Sequence, residues 1–300
     1  MSTAEKRNVG ASVRARLLNR ARVEGIELQP LLTRYALERF LYRLGLSEHR
    51  ERFILKGAML FTAWRGRPLR FSEDVDLLGY GDSGRAAIAR DMRSICSVET
   101  ADDGVVFDAA SIQTDPIRVH TEYVGVRVKA KAFIAGARLL LQIDIGFGDA
   151  VVPEAVEMEF PSMLDMPAPA LRGYRPETVV AEKLNAMVSH DFANSRMKDF
   201  YDIWMIAKMF RFEGETLAEA ARRTFERCRT PWPEGMPAGL GDEFAEKKEE
   251  LWQGFVERAR PMGALATLKE TIEELRVFLL PIVEGEALAS WPPGGPWERA

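Results

Sequence analysis

The chain has 300 residues, 47% hydrophobic and 29% charged, a composition typical of a globular protein with one large or two modest domains. The net charge of −4 argues against a general nucleic-acid coat, and two cysteines without a CxxC or Cys/His cluster fit a reducing cytosol. No apolar run approaches the roughly 20 residues that span a bilayer, and the N-terminus lacks a signal-peptide core, so we expect a cytoplasmic protein without a membrane partner.

The first third of the chain predicts helices followed by a strand. Ser12 is a candidate N-cap for a first helix that Gly25 ends, and a second helix runs from about Pro30 to Gly45. Residues 75–78 predict a strand, and residues 84–96 form an amphipathic helix pattern.

The middle of the chain predicts strands and the remainder predicts helices. Residues 123–133 and 138–147 form a predicted hairpin, and residues 156–160 a shorter strand. Five helical patterns follow between residues 176 and 280. We therefore predict an α+β fold with a first domain over residues 1–170, a helical domain over 171–282, and a flexible tail over 283–300.

The predicted strand contains two aspartates, two positions apart, that are candidate metal ligands. Because side chains alternate along a strand, Asp74 and Asp76 project to the same face, and Ser72 joins them if the strand extends that far. Two adjacent carboxylates repel each other unless a hard divalent cation lies between them. The alternative is a strand end with two solvated aspartates.

A third aspartate strengthens the metal hypothesis. Asp144 lies within an otherwise apolar, strand-forming run, where an unpaired charge is costly. A metal shared with Asp74 and Asp76 would provide its partner. Three carboxylates on neighbouring strands are the ligands of two-metal phosphoryl chemistry, so we predict a Mg²⁺ site.

The predicted helical domain contains a lysine on the apolar face of one of its helices. Lys183 lies between Val180 and Met187 on that stripe, so it needs an anionic partner: a nucleoside triphosphate or an aspartate. Asp199 and Asp202 share a face of the next helix. They either belong to the site or complement the helix dipole after a Ser195 cap.

Three arginines precede the acidic strand. Arg65, Arg67 and Arg70 lie in a turn beside the predicted metal site, where they could contact RNA phosphates.

Taken together, in this order and spacing, five motifs resemble the AbiEii/AbiGii-type toxins, which are nucleotidyltransferases of abortive-infection and type IV toxin–antitoxin systems and include the MenT toxins. The motifs are LKGAML at residues 55–60, RFSEDVDL at 70–77, QIDIGFGD at 142–149, ETVVAEK at 177–183 and NSRMKDFYD at 194–202. The resemblance extends over about residues 9–280.

The resemblance implies a DNA-polymerase-β-like nucleotidyltransferase core with a helical C-terminal half. The family's Gly-rich helix start and Ser-x-Asp-x-Asp strand correspond to Gly57 and to Ser72, Asp74 and Asp76, its lysine corresponds to Lys183, and its late acidic motif corresponds to Asp199 or Asp202. With the residue patterns above, we predict nucleotide binding by Lys56, Gly57, Ser72 and Lys183, and catalytic roles for Asp74, Asp76, Asp144, Lys183, Asp199 and Asp202. Ala58 departs from the Gly-Gly-Ser or Gly-Gly-Thr often found in the family, and so lacks a hydroxyl that could touch a phosphate.

The resemblance also implies an activity and a partner. Related toxins add nucleotides to the 3′ end of tRNA and so stop translation, and a separately encoded antitoxin is expected to restrain them. The alternatives are nucleotidylation of a protein or small molecule, a non-catalytic partner-binding module with structural carboxylates, and a metal-dependent nuclease.

Overall fold

The computed structural model describes residues 8–70, 72–119 and 123–299. Two compact units divide the chain: the described residues of 8–68, 72–148 and 157–173 form unit 1, and those of 69–70, 149–156 and 174–299 form unit 2. Unit 1 combines helices with a mixed sheet, whereas unit 2 is mostly helical. The predicted α+β class is confirmed.

Unit 1 contains a seven-stranded sheet with the strand order β3-β4-β5-β2-β1-β7-β6. Its strands are β1 (Phe53–Lys56), β2 (Asp74–Gly79), β3 (Val106–Val119), β4 (Tyr123–Ile134), β5 (Ala137–Phe147), β6 (Val156–Glu159) and β7 (Ala170–Gly173). The β2 strand pairs in parallel with β5 and antiparallel with β1. The predicted hairpin is present as β4 and β5, which are joined by a two-residue turn.

The described residues of unit 1 form four α-helices: α1 (Val9–Glu24), α2 (Leu28–Leu46), α3 (Met59–Arg65) and α4 (Arg85–Cys96). Helices α1, α2 and α4 contact the sheet in the region of β3, β4 and β5. Strand alternation gives this region a single buried apolar face, formed in β4 by Val126, Val128, Ala130 and Ala132. The other face of β4 remains partly exposed.

The start of α1 differs from the prediction. Asn8, rather than Ser12, is the N-cap, and its side-chain oxygen accepts a hydrogen bond from the backbone N–H of Ala11 at 3.0 Å. Ser12 lies within the first turn. Asn and Ser are comparable caps, so their preference alone does not determine where the helix begins.

Strand β3 is absent from the sequence-based prediction although it has 14 residues. It lies at one edge of the sheet, its pairing with β4 shifts register between Asp108 and Gln113, and it contains Pro116. An edge strand tolerates a proline because the missing N–H can face away from the ladder. Because of its polar residues and its proline, this segment lacks the sequence pattern that predicts a strand.

Unit 2 contains five helices and a short two-stranded pairing among its described residues. The helices are α5 (Pro176–His190), α6 (Met197–Met209), α7 (Gly214–Cys228), α8 (Asp242–Ala259) and α9 (Leu268–Glu284), and the strands are β8 (Phe212–Glu213) and β9 (Ser290–Trp291). The sequence pattern predicts the last helix from about residue 262, but the helix begins at Leu268, where Thr267 and Glu270 form a capping box.

The segment after α9, for which the sequence predicts a flexible tail, has ordered contacts. Trp291 is 4% exposed, its indole N–H donates to the carbonyl of Ala207, and its ring lies 4.8 Å from that of Phe278. Trp297 stacks on Phe278 at 5.8 Å. Among the residues that the structure describes, no helix combines the length and apolar character needed to cross a membrane.

Candidate active site

Three carboxylates meet on the sheet of unit 1. In the parallel pairing of β2 with β5, Asp76 lies opposite Asp144 and Asp74 lies opposite Gln142. Each aspartate offers an oxygen atom, and these atoms lie within 4.8 Å of one another. All three residues are half-buried, whereas their neighbours Val75 and Ile143 are buried on the opposite face.

This donor set fits a hard divalent cation. Mg²⁺ prefers oxygen ligands at 2.0–2.1 Å, so ligand atoms on opposite sides of one ion lie about 4 Å apart. The three aspartate oxygens lie within 4.8 Å of one another, which is close enough for one ion to contact them all. Partial exposure also leaves room for the waters and phosphate oxygens that complete a Mg²⁺ coordination shell.

Gly57 leaves the space that the Asp76 carboxylate occupies. It follows β1 with a φ of +71°, and a Cβ placed on it would lie 2.1 Å from Oδ2 of Asp76. Any other residue would therefore both adopt a strained backbone and displace the carboxylate. Lys56, the preceding residue, lies directly opposite Asp76 in the β1–β2 pairing.

Arg127 on β4 holds the third carboxylate. Its Nε donates to Oδ1 of Asp144 at 2.9 Å and its Nη2 donates to Oδ2 at 2.7 Å. The hydrogen bonds to Asp144 raise the pKa of Arg127 above its ordinary value. Asp144 thus has a protein partner, Arg127, in addition to the two aspartates of the acidic cluster. The sequence does not predict this ion pair.

Ser72 contacts the acidic cluster through Asp74. Its hydroxyl donates to Oδ1 of Asp74 at 2.5 Å, which fixes the orientation of that carboxylate. The predicted contact between Ser72 and a phosphate stays a prediction.

Unit 2 contains a second set of predicted residues in a buried charge cluster. Nζ of Lys183 on α5 lies 2.6 Å from Oδ1 of Asp199 and 2.9 Å from Oδ2 of Asp202, both on α6. The side chains of the two aspartates are 2% and 1% exposed, and that of Lys183 is 14% exposed. Arg70 binds Asp202 through two 2.8 Å hydrogen bonds, and Arg196 binds Asp199 at 2.5 Å.

The charges of this cluster stabilise one another. Burial by itself would lower the pKa of Lys183, but Asp199 and Asp202 outweigh it and the pKa is raised. Burial would raise the pKa of both aspartates, but Lys183 with Arg196 lowers that of Asp199, and Lys183 with Arg70 lowers that of Asp202. Both carboxylates are therefore ionised at neutral pH and are weak proton acceptors, which suits them to orienting Lys183.

The three arginines of the predicted RNA contact differ in their surroundings. Arg65 and Arg67 are exposed, as a phosphate contact requires. The side chain of Arg70 is only 9% exposed and its guanidinium is bound by Asp202. A role for Arg70 in positioning Asp202 therefore has direct geometric support.

Two residues of these clusters were not predicted, Arg127 and Arg196. The sequence contains the signal for Arg127, because a hairpin with a two-residue turn at 135–136 places residue 127 opposite residue 144. Arg196 lies within a motif of the family resemblance, three residues before Asp199. The ion pair itself is seen in the structure, where Nε of Arg196 lies 2.5 Å from Oδ2 of Asp199.

Two solved structures from Helicobacter pylori have a similar fold. The chain is similar to JHP933, with a TM-score of 0.52 and 17% sequence identity over 86% of this chain and 94% of that one. A second H. pylori structure, described as that of a candidate nucleotidyltransferase, gives a TM-score of 0.51 and 17% identity over 87% of this chain and 97% of that one. No curated protein matches the sequence significantly.

The family comparison extends over most of the chain. Residues 39–274 match the model of the nucleotidyl transferase AbiEii toxin family of type IV toxin–antitoxin systems. The match includes the three aspartates of unit 1 and the Lys183 cluster of unit 2, and it supports nucleotidyl transfer as the general activity. The chain therefore belongs to the AbiEii family of nucleotidyltransferase toxins.

Proposed function

We propose that this protein transfers a nucleoside monophosphate from an NTP to an RNA acceptor, the 3′ end of tRNA, and thereby inhibits translation. The observation that carries the proposal is the cluster of Asp74, Asp76 and Asp144, whose oxygens lie within 4.8 Å of one another on one sheet face. Family membership supports the general reaction class.

Asp74, Asp76 and Asp144 are the residues that would hold Mg²⁺. A bound divalent cation supplies Lewis-acid stabilisation of the charge that develops on the transferred phosphate and on the leaving pyrophosphate. In this reaction the acceptor hydroxyl oxygen bonds to the α-phosphorus and loses its proton to solvent. The bond between that phosphorus and the pyrophosphate oxygen breaks, and its electron pair leaves with pyrophosphate.

Several residues have proposed roles around this chemistry. Gly57 leaves space for the Asp76 carboxylate, Ser72 orients Asp74, and Arg127 orients Asp144. Lys56 and Lys183 are proposed to contact the NTP, with Ser72 as a further phosphate contact. Asp199 and Asp202 hold the Lys183 ammonium and keep it charged.

The proposals for the acceptor and for the protein partner are based on membership of the family. Arg65 and Arg67 are exposed cations that can contact RNA phosphates. Since toxins of type IV systems are paired with antitoxins, we propose a separately encoded antitoxin as a protein partner and the cytoplasm as the site of action.

The alternatives predict different products. A nucleotidyltransferase acting on a protein or small molecule would leave RNA unlabelled, and a nuclease would shorten it. A non-catalytic binding module would bind neither metal nor NTP.

The decisive experiment incubates the protein with each of four α-labelled NTPs, Mg²⁺ and total tRNA. We expect label on tRNA, with a product lengthened at its 3′ end. Asp76→Asn removes one ligand charge without changing side-chain shape, so transfer should fall at least about a thousandfold, several kcal/mol in barrier.

Asp165→Asn is the matched control, because Asp165 forms an exposed ion pair with Arg16. This variant should keep full activity. Label on cell protein, with none on tRNA, would move the proposal to a protein acceptor. Full tRNA transfer by a folded Asp76→Asn protein would remove Asp76 from the site.

A further inference from the structure

The exposed face of β4 contains a row of basic residues that ends in an aromatic residue. Arg127, Lys129, Lys131 and Phe133 alternate with buried residues and are all half-buried on the face opposite α1, α2 and α4. Six residues of antiparallel strand separate Arg127 from Phe133, a distance of about 20 Å. The row thus forms an extended surface along one strand.

This row begins at the acidic cluster. Arg127 lies opposite Asp144 in the β4–β5 pairing, and Asp144 lies opposite Asp76 in the β5–β2 pairing. Residues that are directly opposite in a sheet project from the same face. The row of β4 and the proposed metal ligands therefore share one face of unit 1.

The far end of the row widens into a surface that we name the β4–β5 platform, formed by Lys131, Phe133, Arg138 and Leu140. Lys131 lies opposite Leu140, and Phe133 lies opposite Arg138. Leu140 is 64% exposed. A half-buried aromatic ring and an exposed leucine thus lie between two cations.

The two cations of the platform are available to a ligand. Among the residues that the structure describes, the side chains of Lys131 and Arg138 have no ion-pair partner. Asp108 lies opposite Lys131 in the β3–β4 pairing, but its carboxylate accepts hydrogen bonds from the backbone N–H groups of Ala110 and Ser111 instead. Asp115 pairs with Lys129. Neither of these two β3 acids forms an ion pair with Lys131 or Arg138.

Cations beside an aromatic ring on an open sheet face match the chemistry of single-stranded RNA. Phosphates bind Lys and Arg with the release of counterions, and unstacked bases stack on aromatic rings. A row of about 20 Å is long enough to contact several nucleotides of a single strand. A single strand that binds the platform can therefore extend along β4 toward the acidic cluster.

We propose that the β4–β5 platform binds the single-stranded end of the RNA acceptor. The proposal rests on the proposed function, because it deepens the statement that the acceptor is RNA. Phe133 stacks on a base, Lys131 and Arg138 contact phosphates on either side of it, and Lys129 exchanges Asp115 for a phosphate. An exposed ion pair such as Lys129–Asp115 is weak enough for that exchange.

The test measures binding separately from transfer. The 300-residue chain with Asp76→Asn is titrated into a 12-nucleotide oligoadenylate RNA with a fluorescent label, and anisotropy is followed between about 50 and 200 mM salt. Removing both platform cations (Lys131→Ala with Arg138→Ala) should weaken binding at least about tenfold. It should also reduce the slope of log K against log salt by about 1.4, since each phosphate contact of a single strand contributes about 0.7.

The contribution of Phe133 to RNA affinity should differ from that of the cations in its salt dependence. Phe133→Ala should weaken binding about tenfold with an unchanged salt slope, because stacking releases no counterions. Phe133→Tyr should restore the affinity. In the protein with Asp76 intact, the platform variants should raise KM for RNA and leave kcat unchanged at saturating RNA.

The matched control removes two exposed arginines from α4, which packs against the other face of the sheet (Arg90→Ala with Arg93→Ala). It changes the net charge equally and should leave RNA affinity close to that of the parent protein. Equal losses in both double variants would overturn the platform as a specific surface, as would wild-type affinity in the platform variant.

The outcomes for the platform and for the proposed function are distinguishable. If tRNA is labelled normally while the platform variants bind and react like wild type, the proposal that the platform binds RNA is wrong. The proposed transfer to tRNA is then still supported. If the oligonucleotide does not bind and label appears on protein instead, the platform is wrong and nucleotidyl transfer still stands.

Discussion

The Asp76 carboxylate occupies the space that a side chain on Gly57 would need: a Cβ there would lie 2.1 Å from Oδ2 of Asp76. The two residues lie 19 positions apart and meet because β1 and β2 pair antiparallel, with Lys56 opposite Asp76. Glycine at position 57 is thus tied to the geometry of the proposed metal site and not only to the turn that follows β1.

Gly57→Ala should remove metal binding and transfer activity. The new methyl group displaces the Asp76 carboxylate, and the positive φ of 71° adds about 1–2 kcal/mol of backbone strain. Mn²⁺ titration followed by electron paramagnetic resonance measures the metal loss, and urea unfolding measures the loss of stability.

Gly66→Ala is the matched control. Gly66 has a similar φ of +75°, but a Cβ there would meet no atom within 4 Å. It should lose similar stability while Mn²⁺ affinity and activity persist. If both variants retain Mn²⁺ equally well, the close approach of Gly57 to Asp76 has no functional meaning.

Asp202→Asn should destabilise the protein by about 3 kcal/mol, because it leaves some of a buried positive charge uncompensated. Asp202 is fully buried and binds both Arg70 and Lys183. Chemical unfolding of wild type and variant at pH 7 measures the difference in unfolding free energy.

Asp242→Asn serves as its comparison, since Asp242 also pairs with an arginine, Arg276, but is 67% exposed. Exposed pairs contribute little, so this change should have almost no effect on unfolding. Equal effects of the two substitutions would show that burial does not strengthen the Asp202 interactions.

The same cluster predicts how stability depends on pH. Asp199 and Asp202 have lowered pKa values in the folded protein, whereas an unfolded aspartate titrates near about 4. Their contribution is therefore complete above about pH 4 and is lost as the pH falls toward the folded values. The raised pKa of Lys183 acts in the opposite direction: its contribution is present below about pH 10.4 and is lost above it.

Unfolding free energies of wild type and Asp202→Asn, measured from pH 3 to pH 9, test this dependence. The difference between them should be constant from about pH 5 to pH 9 and should narrow below about pH 4. A difference that stays constant to pH 3 would contradict the ion pairing of Asp202.

Trp291→Ala should destabilise the protein by about 3–5 kcal/mol, as expected for truncating a large buried aromatic residue. Trp291 is 4% exposed, contacts Phe278 and donates to the carbonyl of Ala207. Val277→Ala, on the exposed side of α9, should change stability by no more than about 0.5 kcal/mol. A Trp291 variant as stable as wild type would mean that the segment is as flexible as its sequence predicts.

Local sequence patterns predict much of this fold. The alternation around Asp74, Asp76 and Asp144 places all three on the polar face of a sheet, and the sequence around Ala135-Gly136 predicts the β4–β5 hairpin. These features depend on strand periodicity and turn chemistry, which involve neighbouring residues only.

Other features depend on pairings between distant residues. Arg70 and Asp202 are 132 positions apart, and no local pattern links them. The ambiguous interpretation of Lys183 has the same cause, because the sequence indicates that it needs an anion without identifying which one. The structure places two aspartates against it, and the proposed contact with a triphosphate awaits the labelling experiment.

Strand β3 has a consequence for the behaviour of concentrated protein. A long strand at the edge of a sheet offers unpaired backbone groups on which a second molecule can add a strand and begin a fibre. In β3, Pro116 removes one donor, and the register shift between Asp108 and Gln113 breaks the regular spacing of the others. We therefore expect this edge to resist polymerisation, so that the protein tolerates high concentration during purification.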